Sequence, residues 1–242
     1  MAYDKVIDSA ILDANLTSVA DAIRAKGGTN EPLSFPDGFV NAVEGIQAGG
    51  EKDTLDAFLR NELTEYESDK VEHIFSYGMA YNTKLTKVNF PNLTDMGTYA
   101  FCGCSALKDV SIPKLNTAAS AVFHDCTSLE EVQFPKLSMP GNFMFRGCKA
   151  LRICDFVIAN SIANQMFLNA SSLKTVILRN SRVASLFSVD CFKNTPFESG
   201  GTGGTVYVPS ALIESYQTAT NWSTLYAAGT CNFVAIEGSE YE

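Results

Sequence analysis

The chain has 242 residues, 46% hydrophobic and 19% charged, and this balance excludes a largely disordered protein. Its 27 acidic and 18 basic residues give a formal net charge of −9, and the basic residues do not cluster, so a nucleic-acid partner is not expected. No stretch reaches the roughly 18 apolar residues of a membrane span, and Asp8 and Asp13 interrupt the N-terminal segment. We therefore expect no signal peptide, no membrane insertion and reduced thiols at the seven cysteines.

Residues 1–50 predict two short helices, each with an apolar stripe. The stripe residues are Leu16, Val19 and Ile23 in the first helix and Phe39, Val43 and Ile46 in the second. Two helices of this size bury too little apolar surface to be stable alone. They must pack on the remainder of the chain, on copies of themselves or on a larger assembly. We therefore predict a helical anchor or oligomerisation region over residues 1–50.

Between residues 63 and 195 the sequence repeats itself with a period of 22 residues. The recurring residues are Phe101, Phe123, Phe145 and Phe167; Cys104, Cys126 and Cys148; Leu85, Leu107, Leu129, Leu151 and Leu173; and Val88, Val110, Val132 and Val176. Self-similarity at a fixed period predicts a solenoid, in which each coil buries its apolar face against its neighbours.

Each repeat predicts one coil with two walls. The alternation Val-x-Phe or Val-x-Ile predicts a short strand with both side chains inward. Pro91, Pro113 and Pro135 end the strands, because proline cannot donate the next ladder hydrogen bond. The segment Phe-x-x-Cys-x-x-Leu has a period of three, which favours a turn of α- or 3₁₀-helix on the opposite wall. Stacked coils would pair their strands in parallel, about 4.8 Å apart.

Both ends of the stack require caps, because the terminal coils would otherwise expose their apolar faces. The segment "DTLDAFLRNEL" predicts an N-terminal helical cap, and with it the solenoid domain spans residues 51–195. Residues 196–242 predict a closing cap that consists of a strand and a helix opened by Pro209. Trp222 is expected to pack this helix onto the last coil.

The repeat resembles the BspA-like subclass of leucine-rich repeats, whose signature is AFxxCxxLxxVxxP. The resemblance covers residues 63–195 and implies an α/β solenoid with 22-residue coils, short parallel strands on one face and helical caps. Val157 and Arg179 stand where the signature has proline, so the fourth and fifth coils depart from it. The segments "VADAIRAKGGTNEPLSFPDGFVNAVEGI" and "VYVPSALIESYQTATNWS" are similar to parts of tail and fibre proteins of phages that infect Gram-positive gut bacteria. This likeness implies a structural anchor followed by a display module.

One histidine invites a catalytic interpretation. His124 stands two residues before Cys126 and could serve as the base for a thiol nucleophile. Gly103 and Arg146 occupy the same position in the neighbouring coils, so His124 is expected at a solvent-exposed turn. We therefore do not expect an enzyme.

The cysteines of the repeat could also suggest a metal site. Cys102 and Cys104 are separated by one residue, whereas ordinary zinc knuckles have two. Cys104, Cys126 and Cys148 share one phase of the repeat and would stack as buried thiols, which behave as small hydrophobic side chains. We therefore predict core cysteines, with no metal and no cofactor.

The outward positions of the strands carry side chains that differ from coil to coil. These candidate binding residues are Lys87, Asn89, Asp109, Ser111, Glu131, Gln133, Asp155, Thr175 and Ile177. A rigid stack loses little conformational entropy on binding, so this surface suits a protein or glycan partner. An ordinary solvated surface is the alternative interpretation.

Together these patterns predict a non-enzymatic virion protein of a phage tail fibre, baseplate or head fibre. Its anchor would assemble with other virion subunits, and its solenoid would contact a bacterial surface protein or glycan or a neighbouring subunit. The alternative is a BspA-like adhesin that is displayed on the bacterial cell surface and binds host matrix proteins. A homo-oligomer is implied by analogy with repetitive virion parts.

Overall fold

Two rows of short parallel strands run along the stack of coils. The structure is a computed structural model and describes residues 62–242. The helices predicted for residues 1–50 and most of the predicted N-terminal cap lie outside the described residues. In chain order the strands are β1 (Glu65–Glu67), β2 (His73–Ile74), β3 (Lys87–Asn89), β4 (Asp95–Met96), β5 (Asp109–Ser111), β6 (Thr117–Ala118), β7 (Glu131–Phe134), β8 (Ile153–Phe156), β9 (Ser161–Ile162), β10 (Thr175–Leu178), β11 (Ser185–Leu186), β12 (Gly204–Val208) and β13 (Cys231–Ala235).

The first row contains the strands that the sequence predicts. β1, β3 and β5 form one sheet and β7, β8, β10, β12 and β13 form another, with parallel pairing throughout. Equivalent residues pair across the coils, as Val88 does with Val110 and Val132 does with Cys154. The offset of 22 residues within these pairs confirms a parallel β-solenoid with 22-residue coils.

The second row, of two-residue strands, was not predicted. β2, β4 and β6 form one sheet and β9 and β11 form another, while Thr117 makes an isolated parallel bridge to Met139. The inward side chains of this row are buried, namely those of Ile74, Met96, Ala118, Ile162 and Leu186. Each coil therefore contributes two short β segments to the core, one from each row.

A ladder of phenylalanines fills the centre of the stack. The rings of Phe101, Phe123, Phe145, Phe167 and Phe192 are fully buried, and consecutive rings stack with centroids 5.4 to 5.7 Å apart. Stacked aromatic pairs contribute roughly 0.5–1.5 kcal/mol beyond the area that they bury. The repeat of one residue type at one phase therefore adds ring stacking to the backbone hydrogen bonds that join neighbouring coils.

The wall opposite the first row consists of tight turns, except for a 3₁₀ segment (Val189–Phe192) at the last phenylalanine of the series. The predicted turn of α- or 3₁₀-helix is therefore wrong for the coils of Phe101 to Phe167. Cys102 donates its backbone N–H to Tyr99 O within the same coil at 3.1 Å, whereas Phe101 donates to Val122 O in the next coil at 2.8 Å. Positive φ angles at Tyr99 (60°) and Gly103 (72°) interrupt any helix. The period of three therefore comes from successive tight turns. The N–H groups that make no bond within a turn donate to carbonyl oxygens of the adjacent coil.

The C-terminal segment contains more elements than the predicted strand and helix. β12 precedes a 3₁₀ segment (Ser210–Leu212), helix α1 (Ile213–Thr218) and helix α2 (Trp222–Ala227). Pro209 is the N-cap of the 3₁₀ segment. β13 then pairs in parallel with β12 at the edge of the sheet, which the sequence did not predict. Among residues 62–242 no helix is both long and apolar enough to cross a membrane.

Candidate binding face

The strand face is the outward side of the first row from β3 to β10, where the nine candidate binding residues lie. Six of them are exposed or half-buried on β3, β5 and β7, namely Lys87, Asn89, Asp109, Ser111, Glu131 and Gln133. The alternation of the strands places them outward because their neighbours Val88 and Val132 are buried in the core. On these three strands the predicted surface therefore exists.

Asp155 is not part of an open surface, which corrects one prediction. Only 6% of it is exposed, and Arg179 binds its carboxylate through Nε to Oδ1 and Nη2 to Oδ2, at 3.1 Å each. Gln133 Nε2 donates to the same carboxylate at 3.2 Å. These three side chains come from neighbouring coils, so Asp155 joins coils to one another and leaves its negative charge paired.

Ile177 is also buried, at 1% exposure, and this corrects a second prediction. The C-terminal segment reaches this end of the face. Tyr241 packs edge-on against Tyr207 with ring centroids 4.7 Å apart and lines the groove together with Ile177. The strand face is therefore open over β3, β5 and β7 and is covered toward β10.

A shallow groove of about 670 Å³ follows the strand face. It is lined by seven of the nine candidate residues, that is by all except Asn89 and Thr175. Lys108 and Glu130 also line it, although the sequence argument did not include them in the face. Lys108 directly precedes Asp109, and Glu130 directly precedes Glu131. A face extended to the residue before each strand would have included both. The groove therefore brings seven of the nine candidate residues together on one surface.

Unlike the buried pair of Asp155 with Arg179, the ion pairs of Lys87 and Arg152 are exposed. Lys87 Nζ lies 2.6 Å from Glu67 Oε1, and Arg152 Nη2 lies 3.1 Å from Glu130 Oε2 and 2.9 Å from Glu131 Oε1. About half of each of the three side chains in the Arg152 cluster is exposed. Exposed pairs of this kind stabilise a fold by only about 0–1 kcal/mol. Their charges therefore remain accessible to a partner at little cost to folding.

The cysteine ladder lies in the core, as predicted. The Sγ atoms of Cys104, Cys126 and Cys148 donate to the carbonyl oxygens of Met79, Phe101 and Phe123 at 3.0, 3.1 and 3.0 Å. Each acceptor belongs to the preceding coil. A thiol is small enough for this position and also supplies a donor for the carbonyl. These contacts explain why the repeat has cysteine at this position. An aliphatic side chain would fill the same space but would offer the carbonyl oxygen no hydrogen-bond donor.

His124 is half-buried rather than at an exposed turn, and it contacts a different cysteine from the one considered above. Its Nδ1 lies 3.6 Å from Cys102 Sγ in the preceding coil, and only 24% of its side chain is exposed. Burial raises the pKa of the Cys102 thiol and lowers the pKa of the His124 imidazole. Both shifts favour the neutral forms, whereas a nucleophilic cysteine requires a depressed thiol pKa.

Alkaline pH should destabilise this protein through its buried thiols. Burial raises the pKa of all seven cysteines from 9.0, to about 12 for Cys104 and Cys231. An unfolded thiol ionises above about pH 9 while the folded thiol stays protonated. The stabilising contribution is therefore complete below pH 9 and is lost as pH rises toward the folded-state pKa.

We expect the free energy of unfolding to fall above pH 9 by about 1.4 kcal/mol per pH unit for each fully buried thiol. Urea denaturation at about pH 8, 9 and 10 with a reductant present measures this slope. Cys126→Ala should make the slope shallower. A free energy that stays constant over this range would show that the thiols are not buried in this way.

Two comparisons place this fold among known proteins. A family model for the BspA type leucine-rich repeat region matches residues 72–198 in six copies. The chain belongs to the BspA-type leucine-rich repeat family. No curated protein matches the chain.

Several solved structures of leucine-rich repeat proteins are similar to this chain. The pneumococcal vaccine antigen PcpA has 20% identity and a TM-score of 0.54, with 72% of this chain and 41% of PcpA covered. A leucine-rich repeat protein of T. pallidum has 16% identity and a TM-score of 0.47, with 71% and 86% covered. A leucine-rich cell surface protein of Faecalibacterium prausnitzii has 20% identity and a TM-score of 0.40, with 73% and 40% covered. The likeness to PcpA shows the fold alone, and this chain spans less than half of the length of PcpA.

Proposed function

We propose that this chain is a non-enzymatic display protein whose strand face binds a protein or glycan outside the cell that made it. The observation that carries the proposal is the groove along β3, β5 and β7. Its outward side chains vary from coil to coil over an inward core that stays nearly constant. Outward variation over a constant core is expected of a surface that is adapted to a partner, because core packing fixes the inward positions.

The charges of the groove support a partner with mixed polarity. Asp109 is exposed, and the nearby Glu131 and Lys87 hold only solvent-exposed ion pairs. A partner can therefore exchange these contacts for its own without leaving a buried charge unpaired. Val110, at the groove floor, is half-buried and offers an apolar contact between the charges. The solenoid scaffold is rigid, so little entropy is lost when the partner binds.

The setting that we propose is a phage virion, in a tail fibre, baseplate or head fibre. The similarity of both terminal segments to phage tail and fibre proteins supports it. A bacterial cell-surface protein that binds host matrix is the second candidate. Membership of the BspA-type family and the shared fold with the vaccine antigen PcpA support this candidate equally well.

Binding of the labelled full chain to intact Gram-positive cells and to immobilised mammalian matrix proteins tests the proposal. Saturable binding to particular bacterial strains supports the virion receptor-binding role. Saturable binding to matrix alone supports the cell-surface candidate. Absence of binding in both arms contradicts a receptor-binding function and leaves another virion subunit as the partner.

Reversal of one groove charge should weaken binding. We expect Asp109→Lys to reduce affinity for the partner about tenfold, since a good interfacial contact of about 1.4 kcal/mol corresponds to that factor. Glu214→Lys makes the same change of charge at an exposed position on α1 and is the matched control. Equal loss in the two variants would show that net charge, and not the groove, determines binding.

Deletion of residues 1–50 separates anchoring from display. We expect the shortened chain to keep its solenoid circular dichroism and its partner binding but to lose incorporation into the larger assembly. A shortened chain that collapses would show that these residues cap the solenoid and do not serve as an anchor.

A further inference from the structure

A second surface, which we call the neutral face, lies on the outward side of the second strand row. It comprises one column with one residue from each of six coils, together with the adjacent outward side chains of β2, β4, β6, β9 and β11 and Met139. Five of the column residues directly follow a strand, and Gly141 follows the bridge at Met139. The column consists of Phe75, Gly97, Ala119, Gly141, Ala163 and Phe187. His73 and Asp95, which contact each other, are the only ionisable residues of this face. The strand face, by contrast, carries charges on almost every coil.

The neutral face exposes three large apolar side chains. The exposed fractions are 82% for Phe75, 62% for Met139 and 65% for Phe187. The four column residues between the two phenylalanines are glycine or alanine. At Gly141 the coils approach so closely that a Cβ would lie 2.2 Å from Ala119 O, so a larger side chain does not fit there. Five strand spacings of about 4.8 Å separate the two phenylalanine coils, so the strip is about 24 Å long. Exposed apolar groups arranged in this way commonly mark an interaction surface.

We propose that the neutral face pairs two copies of this chain about a twofold axis. The order of one large, four small and one large residue reads the same in both directions. An antiparallel second copy therefore places Phe75 of one protomer opposite Phe187 of its partner, as an isologous interface requires. Met139 lies beside the fourth of the six column residues, within one coil of the axis in each protomer. The small column residues allow the two strand rows to approach closely across the interface.

Electrostatics favour a second copy at this face over a charged partner. Each copy carries a formal charge of −9, so two copies repel each other over most of their surfaces. The neutral face contributes little to this repulsion, because the ionisable residues that it contains among residues 62–242 form a contacting pair. A strongly basic or acidic protein would find no complementary charge there.

The size of the strip sets the strength of the association. Three residues of strand at about 3.3 Å each make the face about 10 Å wide. With the length of about 24 Å this gives about 240 Å² per copy, below the roughly 800 Å² per partner of a stable complex. The dimer should therefore be weak in dilute solution and should form when copies are concentrated or held together in an assembly.

Sedimentation velocity of the full chain over about 1 to 500 µM tests this proposal. We expect the sedimentation coefficient to rise with concentration, and to rise further when NaCl increases from about 0.05 to 0.5 M, because salt screens the mutual repulsion. Met139→Glu places two like charges near the axis and should weaken association at least tenfold. Ala211→Glu adds the same charge at an exposed position of the 3₁₀ segment, outside both faces, and should leave association close to that of the wild type.

A mixture of Met139→Glu and Met139→Lys protomers should associate more tightly than either variant alone, because opposite charges then meet near the axis. Unchanged thermal unfolding of each variant shows that the fold is intact. A wild-type chain that stays monomeric throughout, or an association that Met139→Glu does not change, would overturn the proposal. Binding of a neutral polysaccharide to the face of a monomeric chain would overturn it as well.

Discussion

Replacement of Phe145 by alanine should lower the free energy of unfolding by about 3–5 kcal/mol. The ring is fully buried and stacks on Phe123 and Phe167, with both centroid distances 5.7 Å. Alanine would remove contacts to two coils at once and leave a cavity that the stack cannot close, because the backbone ladders fix the spacing between coils. Urea denaturation of the full chain, followed by circular dichroism, measures the change.

Phe187→Ala is the matched control for this variant. That side chain is 65% exposed, so its removal should change stability by less than about 0.5 kcal/mol. A loss below about 1 kcal/mol for Phe145→Ala would show that the phenylalanine ladder does not hold the coils together.

Replacement of Trp222 by alanine should destabilise the C-terminal end of the stack by about 3–5 kcal/mol. The indole is fully buried, its Nε1 donates to Ala184 O at 2.8 Å, and its ring lies 5.9 Å from Phe192 and 5.8 Å from Phe233. Alanine would remove these ring contacts and leave a buried carbonyl without its donor.

Hydrogen exchange would locate the effect of this change. In a solenoid each coil contacts mainly its neighbours, so amides of β10 and β12 should exchange faster while those of β3 change little. Tyr226→Ala, at a residue that is 42% exposed, should leave the pattern unaltered. Uniform acceleration along the whole stack would contradict the assignment of this segment as a local cap.

The inward half of the fold could be predicted from sequence because it depends on one periodic rule. Residues 22 apart stack on one another, so Phe123 on Phe145 and Val88 beside Val110 follow directly from the repeat. The same rule could have revealed the contact of Cys102 with His124, which are also 22 residues apart. The catalytic interpretation considered a pair that is close in sequence, whereas stacked coils bring equivalent positions together.

The outward half depends on contacts that the period does not specify. Asp155 is buried because Arg179 stands where the repeat usually has proline, and its guanidinium reaches back over the preceding coil. The end of the strand face at Ile177 is occupied by the C-terminal segment with Tyr241, which lies outside the repeat. The second strand row escaped prediction because two-residue strands leave no alternation to detect.

Carboxyl footprinting tests the central claim most directly. The full chain, bound to intact cells or to matrix in saturating amounts, would be labelled at accessible Asp and Glu side chains and compared with the free chain by mass spectrometry. We expect labelling of Asp109 and Glu131 to fall on binding and labelling of Glu214 to stay constant. Protection of Glu214 with Asp109 and Glu131 still fully labelled would contradict a binding role for the strand face.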